Sequence, residues 1–365
     1  MMLTKGDEYP IHQTAEPIAY SGTDRNFYDR YFFNGYQADG SDFFAIAFGV
    51  YPHLNVADAH FSCIRGDVQY CVHASRLLDM ERMDLTVGPI TIEILEPLKS
   101  LRVVVDNHEG ISANLTFVGR AFPVEEPRFT RRIGPRTFMD YTRMTQNGHW
   151  QGWIEVDGIR RDVGGAVGTR DRSWGIRPIG ASDPQPTVPQ TIPQFYWLWS
   201  PVNFHDGALY FHVNDDAQGR HWNIRAVWCP DGAAAHEMLE SDACEMAVTL
   251  KPGWRHAEQA VLKAEFADGR NVTAVFEPGT AFLMRGIGYG HPEWPHGGWK
   301  GVLTVEREDL DLTAVEAGRA DHLHIQAVSR VTMTLGSESQ TGTGILEQLI
   351  LGAYEPLGLK SIFND

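Results

Sequence analysis

Apolar and polar positions along this chain either alternate with period two or form short unbroken apolar runs, and both patterns belong to strands. Residues 43–50 (Phe-Phe-Ala-Ile-Ala-Phe-Gly-Val) are a buried-strand run. Residues 90–95 alternate until Glu96-Pro97 breaks the pattern, 101–105 are apolar, and 111–118 alternate again. Segments 152–156 and 159–163 flank Asp157-Gly158, a dipeptide that favours a tight hairpin because both residues tolerate positive φ. Further strands are predicted at 195–198, 208–213, 222–228, 260–266, 272–276, 299–305 and 322–335, with a second Asp-Gly pair at Asp268-Gly269. Helical periodicity is scarce. Only 236–243 reads as a short helix, while 344–351 fits a helix or a strand. Many short strands at this spacing predict an all-β chain of sandwiches or barrels.

One stretch interrupts the series. Residues 182–194 carry four prolines and cannot form a central strand. They read as a linker or crossing between an N-terminal β domain (1–181) and a C-terminal one (195–365), each with a late Asp-Gly hairpin.

Composition changes this picture only by exclusion. The chain has 365 residues, 43% hydrophobic and 11% aromatic, with ten tryptophans, which is ample material for two cores. A net charge of −16 without a basic run argues against nucleic acid and anionic membrane. No apolar run approaches the length of a spanning helix, and the polar start has no secretory h-region. Cys63, Cys71, Cys229 and Cys244 show no paired spacing. A cytoplasmic protein, monomer or homodimer, is expected.

Three clusters could carry chemistry. In the first, Arg170, Asp171, Arg172, Trp174 and Arg177 crowd a strand-like stretch. Strand alternation puts Thr169, Asp171, Ser173 and Gly175 on one face and Arg170, Arg172, Trp174 and Ile176 on the other. Asp171 reads as a cavity acid or anchor, or else as half of a buried Arg–Asp pair bridging strands or domains. The second cluster runs from Gly286 to Lys300, with Tyr289, His291, Glu293, Trp294 and His296 between glycines and prolines. Its histidines could ligate a metal together with His322 and His324, two positions apart on one expected strand face, or simply hydrogen-bond within a loop. The third is aromatic: Tyr31 and its neighbours, then Tyr196, Trp197 and Trp199. Embedded polar residues such as Asn34, His205, His212 and Asn223 favour a ligand cavity over plain core. No nucleophile elbow, dinucleotide fingerprint or phosphate loop is present.

The pattern Arg170-Asp171-x-Ser173-Trp174-Gly175-x-Arg177 resembles the Arg-Asp-His-Ser-Trp-Gly-x-Arg signature of the lipocalin-like, two-domain proteins grouped with AttH and with the hydroxyneurosporene synthase (carotenoid 1,2-hydratase) type. Asn26 to Asp29, Leu95 to Leu98, Gly290 to Gly301 and Gly342 to Glu347 agree with an uncharacterised, tocopherol-cyclase-like bacterial branch of that group. The resemblance spans nearly the whole chain and departs at Arg172, where histidine is usual. It implies two lipocalin-like β-barrels and chemistry on polyenes or terpenoids. The resulting expectation is a cofactor-independent lyase, hydratase, isomerase or cyclase acting on a hydrophobic terpenoid, steroid or polyene-like molecule, with no cofactor and no metal. Asp171, His291 and His205 are the candidate catalytic residues. Trp174, Arg177, Tyr196, Trp197, Trp199, Tyr289, Trp294 and Tyr31 are the candidate substrate-binding residues. The rival readings are a non-catalytic carrier of apolar metabolites and a metal-dependent hydrolase built on His291, His296, His322 and His324.

Overall fold

The structure, a computed structural model, describes residues 3–13, 15–22, 24–184 and 193–363. Most of the proline-rich segment, residues 185–192, lies outside the described residues. The chain divides into two compact units, the first made of Met1–Gln37, Ser41–Ala181 and Gly286–Leu312, the second of Ala38–Gly40, Ser182–Arg285 and Thr313–Asp365.

The described residues of both units are almost all strand or turn, and each unit is a nearly closed antiparallel sheet of lipocalin-like form. In the first unit the chain lays down β1 (Phe27–Tyr36), β2 (Phe44–Tyr51), β3 (Val56–Arg65) and β4 (Val68–Leu77) as a meander. Then follow β5 (Thr86–Val87), β6 (Ile90–Glu96), β7 (Ser100–His108) and β8 (Ile111–Gly119). After the short β9 (Val124–Glu125) and β10 (Phe129–Ile133) come the long β11 (Arg136–Val156), β12 (Ile159–Asp162) and β13 (Val167–Ile176). β13 closes the meander by pairing with both β1 and β11. The Asp157-Gly158 turn joins β11 to β12 with both residues at positive φ, 50° and 80°, and Val156 facing Ile159. That is the two-residue hairpin the sequence predicts.

The second unit holds β14 (Phe195–Asn203), β15 (Gly207–Asp215), β16 (His221–Pro230), β17 (Leu239–Ser241), β18 (Cys244–Leu250), β19 (Ala257–Glu265) and β20 (Asn271–Leu283). The chain then contributes β21 (Leu303–Asp311) to the first unit, where it pairs with β4. It returns for β22 (Ile325–Leu335) and β23 (Glu338–Leu351). Here the structure differs from the sequence reading, which left 286–312 within the C-terminal domain. Nothing local in the segment records which sheet edge it will extend.

Other differences are smaller. The strand expected at 299–305 begins only at Leu303, because Pro295 and Gly298 fold the preceding residues into a loop. The helix expected at 236–243 is a single 3-10 turn, Ala235–Glu237, followed by β17. Isolated short helices are marginal without a packed face, and here strand pairing onto β16 wins. Residues 344–351 are strand, part of β23. Asp268-Gly269 sits in a longer loop that Phe266 and Arg270 close.

Each sheet buries an apolar inner face. In the first unit Phe33, Phe44, Phe61, Leu115, Phe117 and Trp150 form the centre of that core. Trp150 donates its indole N–H to the Asn34 carbonyl at 2.9 Å, so the largest ring in the core buries no unpaired donor. In the second unit Tyr196, Leu198, Phe211, Trp228, Phe276 and Leu346 do the same work.

Candidate active site

Strand alternation sends every second residue of β1, β2, β3, β4, β11 and β13 to the opposite, outer face of the first sheet. That face is buried too, yet it is polar. Register aligns two rows across it. One runs His73, His60, Ala47, Phe32, Asp171 and Thr145, and the other Ser75, Asp58, Gly49, Arg30, Ser173 and Arg143. Ala47 and Gly49 are small, so the long side chains on either side have room to converge. Tyr51 folds back over Gly49 and puts its hydroxyl between Asp58 and Arg30 of the second row. It accepts from Arg30 Nη2 at 2.8 Å and donates to Asp58 Oδ1 at 3.3 Å.

The glycine-rich segment seen in the sequence lies on this face. Gly288 has φ +91°, and a Cβ there would meet His60 Nε2 at 2.8 Å and His296 Cε1 at 2.9 Å. Only glycine lets the backbone come this close. The Gly297 N–H donates to Asp58 Oδ2 at 2.7 Å, and Ser75 Oγ donates to the Gly298 carbonyl at 3.0 Å. These bonds set His296 beside Asp58, with Nδ1 3.6 Å from Oδ1, while His60 Nε2 lies 3.9 Å from the same oxygen.

Both separations are electrostatic contacts, too long for hydrogen bonds. Both ring nitrogens of His296 and Nε2 of His60 are therefore buried without a hydrogen-bond partner. Burial and the nearby Arg30 guanidinium hold His296 well below the usual histidine range, so it is neutral. Burial would raise the Asp58 carboxyl, but the contacts from His296 and His60 outweigh it and hold Asp58 below its ordinary value. The result is a neutral imidazole 3.6 Å from a carboxylate, which is the makings of a proton-transfer group.

A histidine chain flanks this pair. His60 Nδ1 meets His73 Nδ1 at 2.9 Å, and His73 Nε2 lies 3.3 Å from Glu308 Oε2. Burial pushes His73 down to about 3. His291 Nδ1 accepts the backbone N–H groups of Glu293 and Trp294, so its Nε2 donates to Glu308 at 2.9 Å. Both nitrogens of His291 are thus engaged in holding its loop. Trp294 stacks on His73 and donates to Glu306 at 2.9 Å.

Arg30 and Arg177 complete the face. Each lies over the Tyr28 ring, at 5.4 and 4.8 Å from its centroid, and each over Tyr289, at 5.2 and 5.7 Å. Arg177 and Tyr289, both candidates from the sequence, are brought together here, while Asp171 stands on the same face in the next row.

The remaining candidates go elsewhere. Arg170 and Arg172 point to the inner side of the barrel and do not pair with Asp171. Arg170 Nη1 bonds Glu8 at 2.6 Å, and Arg172 pairs with Asp29. Alternation separates Asp171 from Arg170 and Arg172 and places it on the face of Arg143, whose guanidinium its charge favours. Tyr31 lies beneath Arg172, 4.0 Å from its guanidinium carbon, and donates to the Glu8 carbonyl at 2.5 Å. Trp174 stacks on His12 with ring centroids 3.7 Å apart.

In the second unit Tyr196 faces the core and stacks on Tyr354. Trp197 and Trp199 point to its other face, where Trp197 donates to Glu347 at 2.8 Å. His324 and Gln326 also reach Glu347, and His212 bonds Asn223. His205 occupies a hairpin turn with its side chain 83% exposed, bonded to Gln340. A ring so open to water lacks the surroundings that tune a catalytic histidine.

Among the described residues, two sets present ligand atoms within 4.8 Å of one another: Asp58, His60 and His296, and Cys71, His73 and Glu308. The first has the donor chemistry for a divalent transition metal, but Arg30 is the leading charge acting on His296 and opposes a cation there. In the second set Cys71 contacts Ser62 Oγ at 3.3 Å, and burial raises its thiol so that it stays protonated. The set expected from sequence does not form. His322 ends a 3-10 turn and His324 precedes β22, so the two share no strand face, and the His322 Nδ1 accepts the Glu316 N–H.

The sequence reading missed Asp58, His60, His73 and Arg30. Their signal was present: polar residues at every second position of strands whose other positions are apolar, as in Asp58, His60 and Ser62.

Over residues 3–360 the sequence matches the family described as "Family of unknown function (DUF8625)". No curated protein matches it. Among solved structures, CghA with Sch210972 is similar with a TM-score of 0.54 at 14% identity, covering 95% of this chain and 97% of that one. A putative AttH from Nitrosomonas europaea has a TM-score of 0.50 at 12% identity, covering 93% and 98%. At these identities the likeness is one of fold, and at that level the resemblance read from the Arg-Asp-x-Ser-Trp-Gly motif holds.

Proposed function

We propose that this chain, which belongs to the family of unknown function DUF8625, is a lyase or hydratase, or an isomerase or cyclase, acting on a hydrophobic small molecule of terpenoid, steroid or polyene type. The observation that carries this reading is the Asp58–His296 pair. A buried, neutral imidazole beside a carboxylate, with no protein partner on either nitrogen, is suited to move a proton to or from a bound molecule. Adding water to an alkene, removing it, shifting a double bond and closing a ring all turn on such a transfer. None of them needs an organic cofactor.

In this reading His296 takes the proton and Asp58 stabilises the imidazolium that forms. Asp171, on the same face, is the candidate acid. Tyr28 and Tyr289 offer π faces to a developing cation. The fold shared with AttH and CghA is compatible with such work and does not specify it. The four described cysteines are all free thiols, which supports a reducing compartment as part of the same proposal.

The test is incubation of the protein in D₂O with a panel of polyenes, terpenoid alkenes and unsaturated ketones, followed by mass spectrometry. Gain of one water or incorporation of deuterium is expected. His296→Ala should slow it by roughly 10²–10⁴-fold while leaving the circular dichroism spectrum unchanged. Binding without any mass change in the panel would favour the carrier reading instead.

A further inference from the structure

Four arginines sit with less than 2% exposure on strands of the first sheet or beside it, and they are treated differently. Arg170 has Glu8 and Arg172 has Asp29. Arg82 reaches the Tyr20 carbonyl. Arg30, 1% exposed, has no carboxylate within ion-pair distance and a single hydrogen bond, to the Tyr51 hydroxyl. Its Nε and Nη1 are buried without a partner. Arg177 likewise makes no ion pair among the described residues, and its Nε is unpartnered. The two guanidiniums share the Tyr28 and Tyr289 rings and repel one another. The buried Tyr28 hydroxyl and both nitrogens of His296 also lack hydrogen-bond partners.

Burying one unpaired charge costs several kcal/mol, and burying two of like sign close together costs more. Aromatic faces offset only part of that. The unsatisfied groups here are mostly N–H and O–H donors around positive charge. Donors and positive charge converging on one place are complementary to an anionic oxygen.

We infer that Arg30 and Arg177 anchor a carboxylate or enolate oxygen of the ligand, with the rings of Tyr28 and Tyr289 against its apolar body. This rests on the reading above in placing a small molecule at this face, but its test measures binding and needs no turnover. A divalent cation at Asp58, His60 and His296 is the competing occupant. Arg30 disfavours it, since the same charge that attracts an oxyanion repels a metal. For the reaction class, an enolate held between two guanidiniums would be stabilised where charge develops, so substrates with an acidic carbonyl, enol or carboxyl group are favoured over pure hydrocarbons.

The experiment uses the full-length protein and three carboxylates (octanoate, cinnamate and 4-phenylbutyrate), each against its matching alcohol, and against zinc. Thermal shift and calorimetric titration are read. At least one carboxylate should raise Tm while its alcohol at the same concentration does not. Arg30→Gln and Arg177→Gln should weaken that carboxylate by roughly tenfold to a hundredfold. Ligand-free Arg30→Gln should melt no lower than the wild type, because it removes an unpartnered charge. The wild-type comparison of acid with alcohol keeps the test informative if a variant fails to fold. Equal stabilisation by acid and alcohol, or no response to any of the three acids, overturns the inference. So does a zinc response that is lost in His296→Ala.

Discussion

Arg172 occupies the position where the resembling proteins carry histidine, and its surroundings say what the larger residue does. Nη1 pairs with Asp29 and donates to the Arg30 carbonyl at 2.9 Å, while Nη2 and Nε reach the carbonyls of Tyr9 and Glu8 at 2.9 and 3.3 Å. It ties the N-terminal segment to β1 and β13 from the inner side of the barrel, away from the face that carries Asp58 and His296. A catalytic role does not follow from its place in the motif. Arg172→Met should cost about 3–5 kcal/mol, the penalty for breaking a buried ion pair and leaving the Asp29 carboxylate with His12 alone. The double variant Arg172→Met/Asp29→Leu should recover much of that loss. Urea unfolding of the three proteins checks it, and equal stability of the single and double variants would refute the ion-pair account.

At the scale of elements, β13 is the strand that organises the first unit, held between β1 and β11 along its whole length. Its end is set by Gly175 at φ +137°, where a Cβ would lie 2.4 Å from the Asp140 carbonyl and 2.6 Å from Tyr141 Cα. The Trp-Gly step of the motif is therefore a backbone requirement: β11 passes too close for any side chain. Gly175→Ala should destabilise the protein by at least about 1–3 kcal/mol, seen as a lower urea midpoint. It should also displace Arg177, two residues on, and so weaken any ligand held there more than it weakens the core. Of the β1–β4 meander only β2 was read in the sequence, from its unbroken apolar run, because β1, β3 and β4 bury polar residues on one face as well as apolar ones on the other. The polar outer face was not read as a surface, since its members come from six strands and become neighbours only through register.

For the whole molecule, the pH dependence of stability draws on a buried group of the second unit as well as on the histidines of the candidate site. His256 in the second unit is 6% exposed, and its Nε2 bonds the His322 carbonyl at 3.0 Å. Burial, with a smaller contribution from Lys251, pushes it down to about 4. The sign follows directly. The folded form binds its proton only near pH 4, whereas the unfolded chain binds one near 6.5. The stabilisation is complete above pH 6.5 and is lost as pH falls toward 4. The loss is at most about 3 kcal/mol for this residue. Urea midpoints at pH 7.5 and 5 should differ, and His256→Gln should flatten the difference. An unchanged slope in that variant would assign the effect to other groups. With two compact units, the second should be followed by its own probe, since a single transition is not assured.

The sequence by itself determined the all-β class and the tight Asp157-Gly158 hairpin. These depend on local periodicity and on turn residues, which act over a few positions. It also carried the motif around Asp171, including which residues share a strand face. Only the tertiary structure decided that 286–312 joins the first unit, that Arg170 and Arg172 are neutralised by Glu8 and Asp29, and that Arg30 and Arg177 are not. It also decided that Asp58, from one strand, meets His296, from a loop more than two hundred residues later. The reason is physical. Burial, pairing and the shift of a proton's affinity are properties of neighbours in space, and in a sheet those neighbours are chosen by register.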